Sequence, residues 1–435
     1  MHPDSVRRQN GIAMLGTVAL AVVLAFGGGL VVGRATAPGA SADPSAPSDP
    51  VVTPGPPPTV VPSAGAALPS EGARLGRADA KVTIEYWADY QCSYCATFAQ
   101  EVIPKLESRI ADGTVALVHR DFAFLGEESV DAAVAVQCAA RDGRYWLMHD
   151  AVYAAQSGVN GGGFARPRLA QVAASVGLDA TAFATCMDDP EPLVAVLDDT
   201  AAGVRTGIES TPTVDVNGTR FLGVPDMAVL IKAIDAAVAG ASPAPLPTAK
   251  PSTDPWTGID TDGRAAGDPA APVTVELWMD YQSKGSAVIA NDLEPELRTR
   301  IGTGAIRVEL RDLATLGDES VVAAGMVRCV VRQDGPAWFI NDILAVSGQG
   351  ADAGIYTAVN LLRLSSQLGL QVRTLDTCLA DAAVAAEVRA ETAEGMALGL
   401  SAGPSIVIRL GDVEVGRFSG DLDVKAVLAA IDAAN

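Results

Sequence analysis

Histidine is almost missing from this chain of 435 residues: there are three, His2, His119 and His149, and the second half has none. No second Cys-x-x-Cys and no His-x-x-His spacing accompanies them, so a zinc site lacks ligands. Basic residues are also scarce. Thirty-one Lys and Arg face 52 Asp and Glu, a formal charge of −21. Such a field repels phosphate backbones and excludes nucleic acid as a partner. Cysteine is sparse, at six. An even number suits disulfides in an oxidising compartment, but six allow fifteen pairings, so spacing must decide.

Charge is absent altogether from residues 11–33. At about 1.5 Å per residue this run crosses a hydrocarbon core of roughly 30 Å. Arg7 and Arg8 precede it and a mostly uncharged stretch follows Arg34, which places residues 1–10 in the cytoplasm. The rival is a signal peptide cut after Ala40-Ser41-Ala42, but the apolar run exceeds the usual length of one. The sequence thus predicts a single-pass membrane anchor with an extracytoplasmic bulk. Residues 34–72, rich in Pro, Ala and Ser, form an extended linker, and residues 241–260 form a second. Two units remain, 73–240 and 261–435. Half the chain is hydrophobic, enough for both cores.

The two units repeat each other. Val82-Thr83 through Asp89-Tyr90-Gln91 returns as Val273-Thr274 through Asp280-Tyr281-Gln282, an offset of 191. Arg120-Asp121 and Glu128-Ser129-Val130 return as Arg311-Asp312 and Glu319-Ser320-Val321. One extra residue near Gln333 then shifts the register by one, so that Trp146 matches Trp338. This is a tandem duplication. Within each copy the pattern reads strand, helix, strand, a long helical stretch, a hairpin and a final helix. In the first copy the second strand begins at Val115 and the helical stretch runs from about Glu127 to Ala202. The hairpin turns at Asn217-Gly218, and the last helix follows Pro225-Asp226. An α/β domain with a mixed central sheet and a helical insertion follows.

Chemistry concentrates at Cys92-Ser93-Tyr94-Cys95, between the apolar run 82–87 and a helical pattern through Phe98, Val102, Ile103, Leu106 and Ile110. Two cysteines three apart in a first helical turn can close a small ring. Alternatively, one thiolate can face the unpaired N–H groups of the helix start. That is a redox constellation, with a plain disulfide as its bland counterpart.

These residues resemble the DsbA family of thioredoxin-fold thiol-disulfide oxidoreductases, through Asp89-Tyr90-Gln91-Cys92-x-x-Cys95, the helical insertion and Ser210-Thr211-Pro212-Thr213. The resemblance implies that Cys92 is the exposed nucleophile and Cys95 the buried resolving thiol. It implies a cis peptide at Pro212, with Thr211 contacting substrate backbone. It further implies exported proteins with free thiols as substrates, a quinone-linked membrane reoxidase of the DsbB or VKOR kind, and no bound cofactor. Three departures stand out. The dipeptide Ser93-Tyr94 carries no charge where DsbA has a histidine, so weaker oxidising power is expected. Tyr86 occupies the position where family members often bury an acid, and Glu85, one step away, points to the other face. Proton transfer to Cys95 then falls to water or to the Tyr86 hydroxyl. Thr211 also occurs among isomerases and reductases, which leaves the direction of electron flow open. A reductase or isomerase, or a non-enzymatic redox-gated adaptor, stays as the alternative.

In the second copy Ser283 and Ser286 replace the cysteines, while Pro404 keeps the proline position. A hydroxyl cannot form a disulfide, and without histidine nothing there activates a serine. Residues 261–435 therefore read as a degenerate domain. Cys138 and Cys186 recur as Cys329 and Cys378, so the economical pairing is Cys138–Cys186 and Cys329–Cys378, one structural clip per insertion. A loop of about 50 residues closed in this way is stabilised by very roughly 4 kcal/mol. His119 and His149 read as packing or surface residues, and Trp87 and Trp278, present in both copies, as core.

Overall fold

The computed structural model of the chain describes residues 68–241 and 254–435. The expected anchor at 11–33 lies outside the described residues. Among those described, no helix is long and apolar enough to cross a membrane.

The first domain starts with two short strands, β1 (Ser70–Glu71) and β2 (Arg74–Leu75). It therefore begins three residues before the expected boundary at 73, because this hairpin already belongs to the sheet. Next come β3 (Val82–Ala88) and a helix in three pieces: α1 (Ser93–Thr97), a π-helical turn (Phe98–Val102) and α2 (Ile103–Ala111). Pro104 sits at the start of α2, where its missing N–H does no harm. Strand β4 (Val115–Asp121) runs parallel to β3, which the crossover helix makes possible.

The insertion comprises α3 (Glu127–Ala140), α4 (Tyr145–Ala154), α5 (Arg166–Ser175), α6 (Ala180–Met187) and α7 (Pro190–Arg205). The domain closes with β5 (Thr213–Val216), β6 (Thr219–Leu222) and α8 (Met227–Val238). Asn217 and Gly218 both have positive φ, as a two-residue hairpin turn requires. The sheet order is β1-β2-β4-β3-β5-β6, with β3 at the centre. Val82, Ile84 and Tyr86 alternate into the core, while Glu85 stays on the opposite face and accepts from Arg120 at 2.8 Å.

The second domain retraces this order: β7 (Thr261–Asp262), β8 (Ala265–Ala266), β9 (Val273–Met279), α9 (Ser286–Val288), a π turn (Ile289–Leu293) and α10 (Glu294–Gly302). Then come β10 (Ile306–Asp312), α11 (Asp318–Val331), α12 (Ala337–Ser347), α13 (Ala358–Gln367), α14 (Val372–Leu379) and α15 (Ala382–Ala397). It ends with β11 (Ser405–Leu410), β12 (Val413–Ser419) and α16 (Val424–Ala434). Its sheet, β12-β11-β9-β10-β8-β7, has the same neighbours. Trp256, within the stretch expected to be linker, is buried against Trp338 with ring centroids 4.3 Å apart, and so belongs to this domain.

Each insertion carries one disulfide. Cys138 bonds Cys186, joining α3 to α6, and Cys329 bonds Cys378, joining α11 to α14. The two domains meet where α7 packs on α13 and α14. Arg205 donates to the carbonyls of Gly369 and Leu370, both at 3.1 Å. Arg363–Glu127 and Arg373–Glu191 pairs at 2.8 and 2.9 Å flank this contact.

Trp87 and Trp278 are both buried. A glycine lets the last insertion helix approach each ring. A Cβ on Gly203 would lie 2.6 Å from the Phe122 ring and 3.1 Å from that of Trp87, and one on Gly395 would lie 2.8 Å from the Trp278 ring. Gly203→Ala, despite the better helix propensity of alanine, is expected to destabilise by roughly 1–3 kcal/mol. Urea unfolding of the variant at unchanged m-value is the check, and equal or greater stability contradicts the close approach.

Candidate active site

The Cys-x-x-Cys turn is built from the end of β3 outward. Asp89 is buried and ties the loop together. Its carboxylate accepts from the Gln91 N–H at 2.8 Å, the Phe124 and Leu125 N–H groups at 2.9 and 3.0 Å, and the Ser129 hydroxyl at 2.6 Å. Gln91 in turn donates to Ser129 at 2.9 Å and to Asn160 at 3.2 Å. With the loop fixed, Cys92 takes the N-cap position of α1 in extended conformation, and Cys95 falls inside the first turn.

Cys92 is half-buried and Cys95 buried, and the two sulfurs are unbonded. The Cys92 thiol reaches the Thr211 carbonyl at 3.4 Å, and the Thr211–Pro212 peptide is cis. Thr211 Oγ1 is buried without a hydrogen-bond partner among the described residues. Ser93 and Tyr94 lie on the outer side of the turn, with Tyr94 67% exposed.

The electrostatics separate the two sulfurs. The Cys95 thiol, donating to Cys92, does most to lower the Cys92 pKa. The N–H groups of Cys95 and Tyr94 add to this against partial burial, and together they hold Cys92 at about 6. Burial pushes Cys95 far in the opposite direction, and the hydrogen bond to Cys92 keeps its proton in place. One sulfur is thus an anion at neutral pH and the other a thiol.

Behind Cys95 lies a buried polar cluster. The Tyr86 hydroxyl hydrogen-bonds His149 Nε2, and His149 Nδ1 lies 2.9 Å from Asp150 Oδ1. The Tyr145 hydroxyl bonds His119 Nδ1 at 2.8 Å, and the two imidazoles sit 5.3 Å apart. Neither histidine is on the surface: both are fully enclosed beside the site, where the sequence set packing or surface against a part in catalysis. The signal that could have singled them out is the repeat itself, since the matching positions carry Leu310 and Asn341.

His119 is neutral because burial and then His149 depress its pKa. Burial and then the charge of Asp199 push Asp121 up to about 7. Its neighbours are His119 at 3.5 Å and Gln137, which donates at 2.7 Å. The fold therefore prefers the protonated carboxyl. That preference is complete below the unfolded value near 4 and is lost as pH rises through about 7. Asp121→Asn is accordingly expected to match the parent near pH 4 and to exceed its stability by at most about 4 kcal/mol above pH 8. Denaturant melts across that range test the sign, which a constant difference contradicts.

In the second domain Ser283 is half-buried and Ser286 buried, with the Ser286 hydroxyl donating to the Asp280 carbonyl at 2.7 Å. Gly403–Pro404 is also cis, but Gly403 stands where Thr211 does. A Cβ there would lie 2.5 Å from that of Asp280, and one on Gly285 would lie 2.9 Å from Pro404. The crevice is closed as well as chemically empty. Among the described residues no group of three or more His, Cys, Asp or Glu is placed to hold a metal.

The thioredoxin family model matches residues 70–236 and again 260–433. Over 166 residues the chain is 27% identical to a probable disulfide bond formation protein D of Bacillus anthracis, covering 37% of this chain and 76% of that one. Over 173 residues it is 29% identical to a Na(+)/H(+) antiporter NhaA of Herminiimonas arsenicoxydans, covering 40% of this chain. The match spans only 27% of that antiporter's length. A thioredoxin-like oxidoreductase from Silicibacter pomeroyi DSS-3 aligns at 29% identity and a TM-score of 0.35, over 39% of this chain and 92% of its own. The chain belongs to the thioredoxin family, as two DsbA-like domains in tandem of which the first keeps the cysteine pair of a thiol-disulfide oxidoreductase.

Proposed function

We propose that the chain is a membrane-anchored, extracytoplasmic oxidoreductase that forms disulfides in exported proteins through Cys92 and Cys95. The observation that carries this reading is the asymmetry of the pair: a half-exposed Cys92 held near pKa 6, over a buried Cys95 held as a thiol. A substrate thiolate attacks Cys92 Sγ of the oxidised pair, forming a mixed disulfide and expelling Cys95 as a thiolate that takes up a proton. A second substrate thiolate attacks its own sulfur in the mixed disulfide. That closes the substrate disulfide and releases Cys92 as its stabilised thiolate. Two electrons have moved from substrate to enzyme, and a quinone-linked membrane reoxidase of the DsbB or VKOR kind removes them. Thr211 and Pro212 frame the crevice along which substrate backbone lies. The uncharged run at 11–33 supports the anchor.

The pKa also bears on direction. The DsbA nucleophile is near 3.5 and that of thioredoxin near 7, with potentials of about −120 and −270 mV. At about 30 mV per pKa unit, a Cys92 near 6 corresponds to roughly −190 to −240 mV, a moderate oxidant. Redox titration of the pair tests this, and a value at or below about −270 mV transfers the reading to a reductase. Cys95→Ala supplies the functional test: it should trap exported proteins on Cys92 as mixed disulfides. Finding none in the extracytoplasmic fraction removes the proposal, as does iodoacetamide alkylation of Cys92 with a midpoint near 8.5 instead of 6.

A further inference from the structure

The duplication provides an internal control for the cluster behind Cys95. The loop-building residues are kept in both copies with the same bonds. Asp280 accepts from Gln282, Leu316 and Ser320, as Asp89 does from Gln91, Leu125 and Ser129. The polar rings are not kept. At the positions of Tyr86, His119 and His149 the second copy carries Leu277, Leu310 and Asn341, on the matching strands and helix, while Asp150 is kept, as Asp342. The fold closes without the rings, and they have gone from the copy that has also lost its cysteines.

The chemistry that disappears with them is the proton traffic of Cys95. When the disulfide opens, this sulfur leaves as an anion in a site sealed from water. It must gain a proton, and lose it again before the pair can close. Glu85 cannot serve, because it pairs with Arg120 on the other face of the sheet. Tyr86 sits on the core face, packed on Phe98 at 4.9 Å in the helix that carries Cys95, and close enough for a Cys95 anion to raise its pKa after burial has done so. From Tyr86 the hydrogen bonds continue to His149 and then to Asp150, whose side chain is 21% exposed.

We propose that Tyr86, His149 and Asp150 form a proton relay between Cys95 and solvent. The inference rests on the thiol-exchange reading above and deepens it. On opening, the Tyr86 hydroxyl gives its proton to the departing Cys95 sulfur while His149 Nε2 gives one to Tyr86, and water replenishes His149 at the Asp150 end. On closing, each proton runs back as Cys95 attacks the Cys92 sulfur of a mixed disulfide. Tyr86 exchanges with the reacting atom, and His149 and Asp150 are positioning residues. Tyr90, Tyr145 and Tyr153 surround the relay, and His119 and Asp121 face it from β4.

The test uses the full chain, the isosteric Tyr86→Phe, and His149→Asn, which installs the residue the second domain already holds. Stopped-flow reaction of the oxidised protein with dithiothreitol, and of the reduced protein with oxidised glutathione, is followed from pH 5 to 9. Both variants are expected to slow both reactions by roughly ten- to a hundredfold and to change the pH profile, in the range of general acid-base effects. The Cys92 alkylation midpoint should stay near 6. Parental rates and profile in a folded Tyr86→Phe overturn the relay, even if His149→Asn does not fold. That failure would leave Cys92 alkylation and substrate trapping intact, whereas failure of the thiol-exchange reading removes both.

Discussion

Cys92→Ser is expected to reduce thiol-disulfide exchange to the uncatalysed rate, a loss of roughly a thousandfold or more, without a change in thermal midpoint. The structural half of this expectation comes from Ser283, which stands at the matching position of the second copy: the chain there still turns into a helix, α9, although that helix starts later, at Ser286. The chemical half comes from Cys95. It cannot substitute as nucleophile, because it is enclosed by the core and keeps its proton through the physiological range. Turnover of a reduced, unfolded substrate with glutathione as oxidant is the measurement. Residual activity within tenfold of the parent would mean that another thiol carries the exchange. Cys138–Cys186 and Cys329–Cys378 are already bonded pairs, so none is available among the described residues.

Asp89→Ala should have the largest effect on stability, roughly 5 kcal/mol. The carboxylate satisfies three backbone N–H groups and one hydroxyl in a buried loop, and each donor left unsatisfied costs about 1–3 kcal/mol. The carboxylate is itself costly to bury, which raises its pKa against those four bonds, so the loss is less than the sum. Because the loop carries Cys92, the low alkylation midpoint should be lost along with the stability. Asp89→Asn, which keeps an acceptor oxygen, should lose less than half as much. Chemical denaturation compares the three, and an alanine variant within 1 kcal/mol of the parent contradicts the role of Asp89 as the tie of this loop.

Much of this architecture is legible in the residues because it is local. The alternation Val82, Ile84, Tyr86 sets the face of β3, Asn217-Gly218 sets the hairpin, and the recurrence of Cys138 and Cys186 as Cys329 and Cys378 points to the disulfides that the structure forms. The orientation of Glu85 follows from strand geometry alone. The placement of His119 and His149 does not. They lie on a strand and on an inserted helix 30 residues apart, and only the packing of α4 over the sheet brings the rings together. The start of the second domain escaped for a related reason: Trp256 sits in a Pro-rich stretch, and its stacking partner is more than 80 residues away.

The contact of α7 with α13 and α14 bears on what the silent copy can be. Arg205 caps carbonyls just beyond the end of α13, so the seam is made of directed bonds as well as ion pairs that salt would loosen. A protease cut between residues 242 and 253 should then leave two fragments that migrate as one particle. On that arrangement the serine-bearing half is a fixed wall, and a client chain approaches the reactive sulfur along whichever flank this wall leaves open.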